Sequence, residues 1–147
     1  MAHTARRTSL TRFVLSTLIV ALCLGFASRV QAGDKDPLFV SVTTDDDYRS
    51  GLALHLAKRM SDLGHPVTLF FNDRGIFVAS KANAKKFEEQ HALLAELAKA
   101  GATMIACPFC MKHYGIKEAE LVEPIRVGNP QMIGEALFRD NTKTLAW

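Results

Sequence analysis

The stretch "LFVSVTTDDDYRSGLALHLAKRMSDLGHPVTLFF", residues 38–71, decides how the chain reads. Its first six residues are mostly β-branched or apolar, with Pro37 before them and charge after, the pattern of a buried strand. After "TDDD", Leu52, Leu54, Leu56, Ala57 and Met60 fall close to helical spacing, and Gly64 ends the run. Val67–Phe71 then gives a second buried strand. Strand, helix and strand in such short succession argue for parallel pairing through a helical crossover.

Outward from this unit the alternation continues. "NDRG" predicts a turn after the second strand, with Gly75 supplying the φ freedom that a reversal needs. Residues 82–100 predict an amphipathic helix, with Phe87, His91, Leu94, Leu97 and Ala98 on one face and charges on the other. Gly101 caps it, and residues 103–106 make a third strand running straight into Cys107. A short helix around Met111 and a brief strand at 125–127 follow. Asn129-Pro130 starts a helix over 131–139, with proline at its first position, and "TKTLAW" closes the chain as a strand. The expected fold is three-layer α/β/α in a flavodoxin-like arrangement, around a mostly parallel sheet of about five strands. In such sheets chemistry collects beyond the carboxyl ends of the strands. The loops "TTDDD", "FNDRG" and "CPFC" fall there.

The amino-terminal segment has Arg6, Arg7 and Arg12, then an apolar stretch over 13–27, then Val30 and Ala32 in an A-x-A-like arrangement. This is the layout of a secretory signal peptide cleaved after Ala32. The apolar run is shorter than the roughly 20 residues that span a bilayer, and Arg29 closes it. The expectation is therefore residues 1–32 as signal, a single domain over 33–147, a periplasmic location, and no stable membrane insertion after cleavage. The whole chain has 18 basic and 15 acidic side chains. Cleavage removes four arginines and no acid, leaving 14 basic against 15 acidic. That near-neutral balance gives no support to a nucleic-acid partner.

Of the three cysteines, Cys23 leaves with the signal. Cys107 and Cys110 remain, too few for a disulfide framework and placed where an oxidising compartment acts on them. Cys107 stands where a strand ends and a helix begins, near unpaired N–H groups that favour a thiolate. Pro108 fits a first helical turn. Cys110 is one turn on, within bridging reach, and His113 one turn further. Three readings suit these residues by themselves: an incidental disulfide, structural in a non-catalytic binding module; a metal site using Cys107, Cys110 and His113; or a thiol-disulfide exchanger. Closed zinc sites want four ligands, and no second Cys/His cluster is visible. In glutaredoxin-like folds a C-x-x-C follows the first strand, whereas here two strand-helix units precede it.

From Leu38 onward the chain resembles the DsrE/DsrF-like family of sulfur-relay proteins, which includes the TusD-type carriers. "VTTDDDYRSGLALHLAKRMSDLGHPVTLFFNDRGIFVA" is similar to that family's first strand, acidic loop, helix, second strand and glycine turn. "MIACPFCMKHYGI" resembles the strand, cysteine and helix in which its sulfur-carrying cysteine lies eight residues before a glycine. Cys107 has that spacing to Gly115. "DNTKTLAW" is similar to the closing strand. The resemblance implies a sulfur carrier or sulfurtransferase with a persulfide on Cys107, no cofactor, donor and acceptor proteins as partners, and a homo-oligomer, trimer or hexamer. Cys110 would attack that persulfide or protect the resting thiol, and His113 would stabilise the anion or shuttle a proton. Many relatives carry basic residues just before the glycine, where this chain has His113 and Tyr114. Many are also cytosolic.

Other groups read more plainly. "DDD" at Asp45–Asp47 suits helix capping better than cation binding, because an apolar run starts directly afterward. Phe70, Phe71 and Phe109 read as core or subunit-contact residues, and His55, His65 and His91 carry no assigned role.

Overall fold

The computed structural model describes residues 35–147. The expected signal segment, residues 1–32, lies outside the described residues. No helix among the described residues is long and apolar enough to cross a membrane.

Five strands form one sheet: β1 (Leu38–Val42), β2 (Val67–Phe71), β3 (Thr103–Ala106), β4 (Arg126–Val127) and β5 (Lys143–Ala146). Their order across the sheet is β4-β3-β2-β1-β5, and every pairing is parallel. The helices are α1 (Asp47–Asp62), α2 (Glu88–Lys99), α3 (Pro108–Tyr114) and α4 (Pro130–Leu137). The α/β architecture expected from the alternating pattern is present, with all five strands parallel.

One sheet face is closed by α1 and α2. Val40, Val42, Leu69 and Phe71 are fully buried on it. From α1 come Ser50, Ala53, Leu54 and Ala57, and from α2 Gln90, Leu93, Leu94 and Leu97. Both sets follow i, i+3, i+4, i+7 spacing, the stripe that an amphipathic helix offers a core. Asp46 caps α1, its Oδ1 accepting from the Arg49 N–H at 2.8 Å. The capping reading of the acidic run therefore holds. Gln90 Nε2 donates to the Asp47 carbonyl at 2.8 Å and to its carboxylate at 2.9 Å, tying the starts of the two helices together.

The opposite face carries α4, which has no fully buried residue. An open cleft of about 320 Å³ lies there, lined by Thr68, Thr103, Ile105 and Met132 among others. Asn129 caps α4 through Oδ1 to the Met132 N–H at 2.9 Å, with Pro130 in the first turn as expected. Both edges are modest: β4 has two residues and β5 is exposed throughout.

Several local readings need correction. The helix expected from residue 82 begins at Glu88. Residues 78–80 are buried, Val122 donates to the Ala79 carbonyl at 2.9 Å, and a separate 3-10 turn spans Lys81–Asn83. Tertiary contacts there outweigh helical propensity. The helix expected to reach residue 139 ends at Leu137. Finally, the left-handed φ after β2 belongs to Asp73, at 44°, not to Gly75. Gly75 is needed for space, since a Cβ there would sit 1.9 Å from the Val42 carbonyl oxygen.

Candidate functional site

Backbone hydrogen bonds hold the carboxyl ends of the inner strands level. Asn72 N–H donates to Val42 at 3.0 Å, Cys107 N–H to Phe71 at 2.9 Å, and Gly128 N–H to Ala106 at 2.8 Å. The loops after β1, β2 and β3 therefore open onto one edge, as sheet topology leads one to expect.

Cys107 leaves β3 with φ −70° and ψ 113° and becomes the N-cap of α3. Extended backbone is what an N-cap requires, and Pro108 has no N–H to lose in the first turn. Gly115 closes this seven-residue helix at φ 71°, the left-handed conformation that glycine adopts without strain. A Cys-Pro start and a Gly stop thus fix a helix too short to persist alone.

Both cysteines are free thiols and half-buried. The Cys107 sulfur receives the Cys110 N–H at 3.4 Å. The two sulfurs stand 2.9 Å apart, against about 2.05 Å for a disulfide bond. The Cys110 sulfur in turn accepts the Asp73 N–H at 3.1 Å. Burial pushes the Cys110 thiol above its ordinary value of 9.0, and its hydrogen bond to Cys107 adds to this, while the Asp73 N–H works the other way. Its surroundings thus favour the protonated form of Cys110.

The Asp73 N–H is aimed by a 3-10 turn, Asp73–Phe77, that packs into the fold through buried Gly75 and Ile76. Tyr114, on the last turn of α3, donates its hydroxyl to Asp73 Oδ1 at 2.9 Å. That bond to a carboxylate raises the tyrosine above its ordinary value of 10.0. The same ring lies 4.9 Å from the Phe77 ring, so α3 is bound to the turn by an apolar and a polar contact together. Arg74 grips Asp45 with two hydrogen bonds, 2.8 and 2.6 Å, and its guanidinium stands 5.5 Å from the Phe77 ring. This holds the Asp45 carboxyl below its ordinary range. Lys86 reaches the Asp45 carbonyl at 2.6 Å. A continuous line of contacts therefore runs from the loop after β1, through the turn after β2, to the cysteines after β3.

Cys107 and Cys110, singled out in the sequence, are brought together. His113 is exposed and stacks edge-on against Tyr114 at 4.7 Å. Phe71 lies in the core, whereas Phe109, between the cysteines, is 78% exposed and belongs to no core in this chain. Among the described residues, no group of three His, Cys, Asp or Glu side chains is placed to hold a metal. The sequence places the loop holding Asp73 and Arg74 at this edge, but assigns no contact to these residues or to Tyr114. They lie 37, 29 and 41 positions from the Cys110, Asp45 and Asp73 groups that they meet, a distance that local spacing does not reveal.

The family model of the DsrE/DsrF-like family matches residues 37–141. The chain belongs to that family. Membership places it among sulfur-relay proteins, which act with partner proteins. The crystal structure of the ychN protein from E. coli is similar in fold, with a TM-score of 0.63 at 12% identity over 77% of this chain and 99% of that one. That likeness speaks for the fold alone. Comparison with curated proteins returned no match.

Proposed function

We propose that this member of the DsrE/DsrF-like family carries sulfur as a persulfide on Cys107 and passes it between protein thiols. The observation that carries the reading is the place of Cys107 in the C-x-x-C turn. Its Sγ stands at the N-cap of α3 and accepts the Cys110 N–H at 3.4 Å, an arrangement suited to a sulfur that reacts as an anion. In the loading step the Cys107 thiolate attacks the outer sulfur of a donor persulfide, and the donor leaves as a thiolate. In the unloading step an acceptor thiolate attacks the outer sulfur on Cys107, and Cys107 leaves as a thiolate. No electron is gained or lost overall.

We further propose that the protein is exported by residues 1–32 and acts in the periplasm as a homo-oligomer. The arginine-flanked apolar segment supports export, and kinship supports oligomerisation. The amino terminus and the native mass of protein recovered from the periplasm test both. A chain beginning at Gly33 and running as a trimer or hexamer is expected.

The 2.9 Å separation of the sulfurs favours a second reading, thiol-disulfide exchange without sulfur carriage. Mass spectrometry separates the two. After exposure to a small-molecule persulfide donor, the carrier gains one sulfur on the peptide holding Cys107 and loses it to an added acceptor thiol. An exchanger loses two hydrogens and gains no sulfur.

A further inference from the structure

We propose that Cys110 is a resolving thiol, giving the protein a second outlet for its sulfur: release as hydrogen sulfide with closure of a Cys107–Cys110 disulfide. The inference rests on the persulfide reading and extends it. A persulfide has two sulfurs, and the one attacked decides the product. Cys110 Sγ stands 2.9 Å from Cys107 Sγ, which becomes the inner sulfur once Cys107 is loaded. Attack there forms the Cys107–Cys110 bond and breaks the bond to the outer sulfur. The two cysteine sulfurs are oxidised, the outer sulfur is reduced to sulfide, and the proton leaving Cys110 accompanies it as hydrogen sulfide. A separate dithiol reductant then reopens the disulfide.

Asp73 and Tyr114 are the positioning residues. The Asp73 N–H is bonded to the attacking sulfur at 3.1 Å, and the Tyr114 hydroxyl holds Asp73 at 2.9 Å. Neither has a hydrogen bond to Cys107. Cys110 is therefore held by groups from two elements, α3 and the turn after β2, beyond what a C-x-x-C alone provides. An incidental thiol pair needs no such support.

The test loads full-length mature protein with a small-molecule persulfide donor, removes the donor, and follows sulfide, disulfide and Cys107 mass together. The wild type is expected to release one equivalent of sulfide as one disulfide forms, whereas Cys110→Ser keeps its added sulfur. Tyr114→Phe should load Cys107 normally yet release sulfide about three- to tenfold more slowly, the worth of one hydrogen bond. Asp73→Asn should restore near wild-type release, because asparagine accepts the tyrosine hydroxyl and tolerates the positive φ. Equal loss of sulfur from wild type and Cys110→Ser, or sulfide without disulfide, would overturn the proposal. Unchanged release in Tyr114→Phe would remove the positioning role. If Cys110→Ser takes up no sulfur at all, the persulfide reading itself fails, and this step with it.

Discussion

The turns that follow β2 and β3 sit side by side and are built in opposite ways. After β2, residues 73–77 are wedged into the fold: Gly75 presses on the Val42 carbonyl, Ile76 is fully buried, and Arg74 is pinned to Asp45. After β3, the first turn of α3 is open, with Phe109 largely exposed and both sulfurs half-buried. The packed turn aims a backbone N–H at the open one. Packing and exposure are thus divided between neighbouring loops, so the cysteine turn can remain reachable without its surroundings being loose.

Four changes break or sharpen this contrast. Cys107→Ser should abolish sulfur uptake while leaving thermal unfolding nearly unchanged, since an N-cap serine suits α3; uptake by mass and a melting curve check both. Gly75→Ala should cost about 3 kcal/mol in denaturant unfolding, because the new methyl meets backbone that cannot swing aside. Asn129→Ala, outside both turns, should cost about 1 kcal/mol through the lost α4 cap and leave cysteine reactivity as it was. Asp45→Asn should have the smallest effect, below about 1 kcal/mol for so exposed an ion pair. Arg74 lowers the Asp45 pKa, so the pair's contribution is present above the ordinary carboxylate range. It fades as pH falls through the lowered value. Comparing wild type and Asp45→Asn by unfolding from pH 7 downward should show the difference closing in acid.

Most of the packed half was legible in the sequence. The apolar runs at 38–42 and 67–71 and the capped helices gave the parallel crossover pattern, because burial on both faces leaves a continuous hydrophobic signature. Legibility failed where tertiary contact overrode local preference. Residues 82–87 look helical, yet the backbone just before them, at Ala79 and Ser80, is paired with Leu121 and Val122. "NDRG" announces a turn, but not that its glycine is chosen for contact distance and its aspartate for the positive φ. At the open turn, Cys107 and Cys110 were visible through spacing, and Gly115 through the family resemblance, though not as the cap of α3. Tyr114 and Asp73 were not, because their meeting depends on how the ends of β2 and β3 are levelled by the sheet.

The persulfide proposal makes Cys107 Sγ the sulfur-bearing atom. Loading the Cys107→Ser and Cys110→Ser proteins side by side with one persulfide donor, then mapping the added sulfur by peptide mass, tests it directly. One added sulfur is expected on the residue-107 peptide of Cys110→Ser and none on Cys107→Ser. Sulfur on Cys110 of the Cys107→Ser protein, with none on its counterpart, would contradict it.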